Sequence, residues 1–259
     1  MKSVVSKTSP VLSVIIPSYN QLEGLKKTIH AFYSLREKGI EIIVVDGESN
    51  DGSVDWIYSN SSNIDQVIIE SDSGIYEAMN KGIKLARSEW IWFMGTGDCP
   101  VIEGAKEMLH IVKNGAIVTE ETPPEMLAFG VHLLAPREPG VPEFYKPSWN
   151  VELVWRNTIH HQGAVYSRKL FTSETYDVRF PVLADYHFHL KIWKQGVTCW
   201  CSPLVVSEVA PGGVSRDFSL SLYREERLLK QTVLTGWQNM VQGVWTRSKW
   251  LKKKIWIYI

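Results

Sequence analysis

A chain of 259 residues, 44% hydrophobic and 22% charged, is long enough for one large α/β domain with a full core, and its composition excludes disorder and collagen-like repeats. Lys+Arg 28 balance Asp+Glu 28, so a net charge of zero gives no reason to expect nucleic acid as a partner. Three cysteines, Cys99, Cys199 and Cys201, are too few for a disulfide framework, and Cys-Thr-Cys alone lacks the partners of a zinc site.

Met1 to Pro10 carries no apolar signal segment, and no stretch approaches the roughly 18–20 apolar residues that cross a bilayer, so the expected location is cytoplasmic. A buried-strand run, Val11 to Ile16, is closed by Pro17, and a helical stretch follows from Leu22 to Arg36 with Asn20 as its cap. A second strand, Ile40 to Val45, ends at Asp46 before the turn-rich segment Gly47 to Ser53. Gln66 to Ile69 is the third strand; it leads into Asp72-Ser73-Gly74 and a helix over Ile75 to Ala86. Trp90 to Met94, the fourth, ends in Gly95-Thr96-Gly97-Asp98.

Continuous apolar strands alternating with helices predict an α/β fold with a mostly parallel central sheet covered on both faces, in which ligands bind beyond the carboxyl ends of the strands. Asp46, Asp72 and Asp98 each follow a separate strand, so three carboxylates distant in sequence are predicted to converge on one crevice.

Gly115 to Pro147 is proline-rich and reads as an irregular segment over the sheet, with only short strand candidates such as Met126 to Leu134. Order returns with a strand over His161 to Tyr166, a helix over Asp185 to Lys194, one or two strands over Val197 to Val209, and helix from Leu220 on. Beyond Glu226 there is no acidic residue but seven basic ones. Trp245, Trp250 and Trp256 alternate there with five basic residues, a composition suited to a helix on an anionic membrane surface or to a helix packed on the domain.

The segments Val14-Ile15-Ile16-Pro17-Ser18-Tyr19-Asn20 and Val44-Val45-Asp46-Gly47-Glu48-Ser49-Asn50-Asp51-Gly52-Ser53 resemble the start of family 2 glycosyltransferases with the GT-A fold. Asp72 to Ile83 is similar to the family's third block, and Ile91 to Asp98 to the strand carrying its metal motif. The likeness is close over about the first hundred residues and looser afterwards, and it is strongest to bacterial enzymes of exopolysaccharide, colanic-acid-type synthesis. It implies an inverting transferase that moves a sugar from a UDP- or GDP-linked donor to a glycan or lipid-linked acceptor, and with such an acceptor the composition of 245–259 gives the expectation of a protein peripheral on the inner face of the cell membrane. Together with the helical, basic-aromatic pattern at the end of the chain, it gives an expected division into a nucleotide-sugar-binding half (1–114), an acceptor half (115–218) and a helical tail (219–259).

Carried over residue by residue, the resemblance places Pro17, Ser18, Tyr19, Asn20, Asp46, Gly47, Ser49, Asp72, Gly74, Tyr76, Asn80 and Lys81 at the nucleotide. Asp98 is the candidate ligand of a divalent cation, Mg²⁺ or Mn²⁺, because a departing diphosphate needs its charge neutralised by hard-oxygen-bound metal. Many relatives have Asp-x-Asp there, whereas Thr96-Gly97-Asp98 keeps one carboxylate. Asp185, in Leu183-Ala184-Asp185-Tyr186, is similar to the catalytic base; relatives often have Glu where Ala184 stands. An Asp in a first helical turn also complements the helix dipole.

Of the pair His160-His161, adjacent strand residues point to opposite faces, so at most one faces the acceptor, and His161 is the candidate. Gly97 flanks the metal motif, and Arg216 lies in a glycine-containing loop that suits either a cation over the diphosphate or an ordinary turn. No G-x-G-x-x-G follows the first strand and no G-x-x-x-x-G-K-[ST] occurs, which argues against dinucleotide and P-loop enzymes. The reduced metal motif and Ala184 keep open a second reading, a non-catalytic nucleotide- or glycan-binding subunit of the same fold.

Overall fold

The computed structural model describes residues 9–115, 123–134, 141–211 and 219–236. Arg216 and the aromatic-basic segment 245–259 lie outside the described residues. The first half alternates strand and helix: β1 (Leu12–Ser18), α1 (Leu22–Ala31), β2 (Ile40–Asp46), α2 (Ser53–Ser59), β3 (Gln66–Ile69), α3 (Ile75–Leu85) and β4 (Trp90–Phe93). The second half adds β5 (Cys99–Pro100), α4 (Ile102–Asn114), β6 (Met126–Leu133), β7 (Phe144–Tyr145), β8 (Ala164–Ser167), α5 (Leu170–Ser173), α6 (Ala184–Lys194), β9 (Cys199–Val209) and α7 (Leu220–Val233). No described helix is long and apolar enough to cross a membrane.

One sheet runs β3-β2-β1-β4-β8-β6-β9-β5, with β7 paired to β6. The first four strands are parallel; β8 then runs antiparallel to β4, β6 antiparallel to β8, and β9 parallel to β6. The chain moves outward from β1 to β2 and β3, then returns to β4 on the other side of β1, so a crevice opens at the carboxyl ends of β1 and β4. Pro17 suits this place, because the β1–β4 pairing ends at Ile15 opposite Phe93 and the missing N–H falls beyond it.

Every residue of β1 and β2 is buried, and alternate side chains feed two cores. Val14, Ile16, Ile42 and Val44 meet Leu25 and Ile29 of α1 and Met108 and Leu109 of α4. Ile15, Ile43 and Val45 meet Met79 and Ile83 of α3 and lie in one cluster with Leu190 and Ile192 of α6. A strand covered on both faces reads as an unbroken apolar run, which is why these strands were legible.

Several expectations change. The helix after β1 stops at Ala31 and continues as a 3₁₀ segment, Tyr33–Lys38. Asn20 is not its cap. Gln21 holds that position without a side-chain bond, and Asp51 Oδ2 accepts from Leu22 N–H at 2.8 Å instead. The strand candidate Met126 to Leu134 is β6, an eight-residue strand inside the sheet rather than an irregular cover over it, with Met126 and Ala128 in one core and Leu127 and Phe129 in the other. Its prolines flank it rather than interrupt it. His161 does not begin a strand; His161–Gly163 is a 3₁₀ turn and β8 starts at Ala164.

The start of the presumed tail is built into the body. Leu229 of α7 belongs to the core cluster of α3 and α6, and Lys230, fully buried, donates to Glu226 Oε1 at 2.7 Å and to the Trp155 carbonyl at 3.0 Å. Glu225 Oε1 accepts from the backbone N–H groups of Val182 (2.9 Å) and Leu183 (2.7 Å), immediately before α6. Free N–H groups collect where a helix begins, so this carboxylate fixes where α6 starts.

Candidate active site

The loops after β1 and β2 are knitted to each other. Asp46 is fully buried, its Oδ1 accepts from Ser49 N–H (2.7 Å) and its Oδ2 from Ser49 Oγ–H (2.9 Å). Ser49 Oγ in turn accepts from Asn20 N–H, and Asn20 Oδ1 from Asn50 N–H, each at 2.8 Å. Asn20 takes a left-handed backbone, φ 49°, to make this exchange. Asp46 and Ser49 therefore shape the loop from beneath, with no Asp46 surface left for a base to touch.

Above this floor, Gly47 lies between Tyr19 and Asp72. A β-carbon at position 47 would stand 3.0 Å from Asp72 Oδ2 and 3.1 Å from the Tyr19 ring. Asp72 Oδ1 accepts from Gly74 N–H at 2.9 Å, leaving Oδ2 toward the gap, and Tyr19 is 62% exposed. Lys81 steadies this edge by donating to the Ser71 carbonyl (2.7 Å) and pairing with Glu70 at 3.0 Å. Ser18 Oγ is buried without a hydrogen-bond partner.

Two residues expected at the nucleotide are engaged elsewhere. Tyr76 O–H donates to Asp185 Oδ1 at 3.1 Å and to the Val182 carbonyl at 2.8 Å. Both ends of the Asn80 amide bind the Tyr176 backbone, at 2.8 and 3.0 Å.

Asp98 stands beyond β4 in a turn fastened to α1. Thr28 Oγ–H donates to the Asp98 carbonyl (2.8 Å) and its oxygen accepts from Gly97 N–H (2.9 Å), where Gly97 adopts φ 91°, a conformation costly for residues with a β-carbon. Lys27 Nζ reaches the Gly97 carbonyl at 3.0 Å, bringing a cation to the turn. The Asp98 carboxylate is 5% exposed and accepts from Ala210 N–H and from the Gln162 amide, both at 2.8 Å. Burial raises its pKa above the ordinary aspartate range, and Ala210, Gln162 and the charge of His161 oppose that rise.

Asp98 is a lone carboxylate for a cation. No group of three His, Cys, Asp or Glu able to hold a metal occurs among the described residues. Two of its roughly four lone-pair sites remain after Ala210 and Gln162, which fits an ion that arrives with phosphate oxygens and water filling the rest of its shell.

Asp185 sits in the first turn of α6. Its Oδ1 accepts from Tyr76 O–H and from Tyr186 N–H (2.7 Å), its Oδ2 from Asn157 Nδ2 (3.3 Å), and His161 Nδ1 lies 3.5 Å from Oδ2. Burial alone would raise its pKa; the hydrogen bond and charge of His161, the charge of His189 and the Tyr186 N–H outweigh it and hold the carboxyl near 2. His189 is fully buried between Tyr166 O–H (2.7 Å) and Asn157 Oδ1 (3.2 Å), and burial lowers its pKa to about 4. His187 faces Thr232 of α7 instead, so the two α6 histidines serve different neighbours, as their spacing implied.

The turn 161–163 joins the two carboxylates. Gln162 binds Asp98 while its neighbour His161 faces Asp185, and the Gln162 carbonyl is fixed by Trp92 Nε1–H (2.8 Å) and Ser207 O–H (2.9 Å). The rings of His160 and His161 stack at 5.5 Å and 17° rather than diverging to opposite faces, because the backbone here is a turn. His161 Nε2 and Gln162 Oε1 are buried and unpartnered. Unpaired buried polar atoms on consecutive residues are what a missing polar ligand would satisfy. The sequence named His161 but not the contributions of Gln162, Thr28, Asn157 or Glu225, whose partners lie 28 to 70 residues away.

Comparison with known proteins bears on this arrangement. The family model for Glycosyl transferase family 2 matches residues 13–115. An uncharacterized glycosyltransferase of Mycobacterium tuberculosis is 30% identical over 189 residues, 71% of this chain and 69% of that protein. A PGL/p-HBAD biosynthesis glycosyltransferase of Mycobacterium bovis is 27% identical over 215 residues, 80% of each chain. Among solved structures, S. aureus TarS 1-349 superposes with a TM-score of 0.61 at 16% identity, and this chain spans 64% of its length while 84% of this chain is covered. A mannosyltransferase from Pyrobaculum calidifontis, solved with GDP-Man and Mn²⁺, gives 0.57 at 17% identity, covering 92% of this chain and 65% of its own.

Proposed function

The chain belongs to glycosyltransferase family 2, and from that premise we propose that it transfers a sugar from a nucleoside-diphosphate donor to a hydroxyl of a glycan or lipid-linked acceptor, with inversion. The observation that carries the reading is the single turn in which Gln162 holds Asp98 and His161 faces Asp185. It sets a group for the departing phosphate beside a group for the incoming hydroxyl.

In this reading the base lies between Tyr19 and the free Asp72 oxygen over Gly47, and Ser18 Oγ meets the nucleotide. Asp46, Ser49 and Lys81 hold those loops in shape. Asp98 holds a divalent cation, Mg²⁺ or Mn²⁺, which when bound neutralises the diphosphate. Lys27 adds positive charge at the same turn. The acceptor approaches the other face of the sugar, its hydroxyl next to the Asp185–His161 pair, where positioning and proton removal lower the barrier. The GDP-Man and UDP-GlcNAc bound by two structural neighbours make both nucleotides reasonable donors.

Calorimetric titration of UDP and GDP with Mn²⁺, then with EDTA, tests the donor side. Metal-dependent binding of one nucleotide, weakened in Asp98→Ala, is expected. Failure of both to bind would remove the transferase reading. Release of UDP or GDP from UDP-glucose or GDP-mannose separates an enzyme from a binding subunit of the same fold.

A further inference from the structure

We propose that Asn157 is a positioning residue that holds Oδ2 of Asp185, and that His189 and Tyr166 act behind it in a one-way chain of hydrogen bonds whose every hydrogen points toward that carboxylate. The proposal rests on the transferase reading above, with Asp185 as the group that takes the acceptor's proton.

Elimination places each hydrogen. The Asp185 carboxyl is held near 2, so at neutral pH it is ionised and only accepts. The Asn157 atom 3.3 Å from Oδ2 is therefore the amide nitrogen, which donates. That turns the amide oxygen toward Ile159 N–H at 3.3 Å and His189 Nδ1 at 3.2 Å. An amide oxygen only accepts, so His189 Nδ1 carries a hydrogen. Burial keeps His189 neutral above about 4, which leaves its ring one N–H and makes Nε2 bare. Tyr166 O–H, 2.7 Å away, donates to that bare nitrogen. Donation thus runs from Tyr166 of β8 to His189 of α6, on to Asn157, and ends on Asp185.

The chain begins in the core and ends at the crevice. Tyr166 and His189 are fully buried, Asp185 keeps 8% of its surface, and Asn157 is half-buried. Hydrogen bonds aligned in one direction polarise one another where water is excluded, so the last donor is strengthened by those behind it. The backbone of Asn157 is pinned as well, because its carbonyl accepts from Tyr145 O–H of β7.

Asp185 needs such a hold. Its Oδ1 is tied to Tyr186 N–H in its own helix at 2.7 Å, and its Oδ2 to Asn157 from another part of the chain, with His161 Nδ1 farther off at 3.5 Å. A bond to each oxygen fixes the plane of the carboxylate, which a bond to Oδ1 alone would leave free to turn. A base must meet the incoming hydroxyl at one angle, and a displacement of about 1 Å can cost on the order of 10²-fold in rate.

Two measurements on the full chain test the proposal. In ¹⁵N spectra of the imidazoles near neutral pH, with His189 identified by its loss in His189→Gln, a protonated Nδ1 and a bare Nε2 are expected. A hydrogen resident on Nε2 would overturn the chain, whatever the activity. In the second, donor hydrolysis is followed as UDP release from UDP-glucose and GDP release from GDP-mannose. Water oxygen bonds to the anomeric carbon, the bond from that carbon to the diphosphate oxygen breaks with its electron pair, and the water proton passes to Asp185. Asn157→Leu is expected to lower kcat by about 10–100-fold and to leave the donor's KM unchanged. His189→Leu is expected to lower kcat by less, and His189→Gln, whose amide N–H can still donate to Asn157, to recover most of that loss. In the Asn157→Leu background His189→Leu is expected to add nothing, because it acts through the residue already removed. Should His189→Leu not fold, Tyr166→Phe takes its place, with a small loss of kcat that likewise vanishes in Asn157→Leu. Losses that multiply, or a raised KM with kcat intact, would sink the proposal and leave the transferase reading standing. If no donor is cleaved and neither nucleotide binds, it is the transferase reading that fails, while the nitrogen spectra still decide the direction of the chain.

Discussion

The two sides of the crevice are held in different ways. Around β1–β3 the polar groups close on neighbouring loops: Asp46 on Ser49, Asn20 on Asn50, Asp51 on Leu22 and Ser53. Around β8 and α6 the polar groups reach across the fold, from Tyr76 to Asp185 and from Gln162 to Asp98, and the turn leaves His161 Nε2 and Gln162 Oε1 unsatisfied. On the first side Ser18 Oγ is buried without a partner, and on the second the consecutive residues His161 and Gln162 each leave a buried atom unpartnered.

The largest effect on this contrast is expected from Asp98→Ala, which removes the joint between the two sides. It leaves Ala210 N–H and the Gln162 amide buried without an acceptor, so urea unfolding should show a loss of about 2–4 kcal/mol. Stability unchanged within error would mean that the two sides are not joined there.

Acid should sharpen the comparison next. His189 has a folded pKa of about 4 against 6.5 when free, so the folded chain binds fewer protons between those values. Its contribution is complete above pH 6.5 and is lost as pH falls toward 4, on the order of 3 kcal/mol. Glu41, on the first side, is lowered from 4.5: burial opposes ionisation, but Ser13 and Arg87 prevail, so its contribution is lost only at still lower pH. Urea unfolding between pH 7 and 4.5 should therefore weaken the wild type and leave His189→Gln much flatter. Equal slopes in the two would contradict the assignment.

The smallest effect is expected from Tyr19→Ala. An exposed ring that stacks on a base is worth about 1–3 kcal/mol of binding. Nucleotide affinity should fall with no change in thermal stability, and unchanged affinity would place the base elsewhere.

The first side was the more legible in sequence for a physical reason. Strands buried on both faces are continuous apolar runs, so Asp46 and Asp72 could be read at strand ends from local pattern, while Ser18 and Tyr19 entered only through the family resemblance. Pattern did not reveal that Asp46 faces its own loop, or that Tyr76 and Asn80 turn toward α6 and Tyr176, because those choices are made by tertiary packing. On the second side, β6 was legible as a strand candidate but its place inside the sheet was not, and His161 was given a strand's alternation where a turn stacks it on His160. Asp185 itself was visible, but its four donors come from three other parts of the chain as well as its own helix.

The hydrogen bond from Ala210 N–H to Asp98 spans 112 residues. A ribosome adding roughly 5–20 residues per second makes Ala210 on the order of ten seconds after Asp98. The emerging chain therefore has its first four strands well before it has the anchor of its candidate phosphate-side carboxylate, and α6 with Asp185 arrives nearly as late. A chain interrupted in that interval is expected to hold its first sheet strands while lacking the backbone N–H that anchors Asp98.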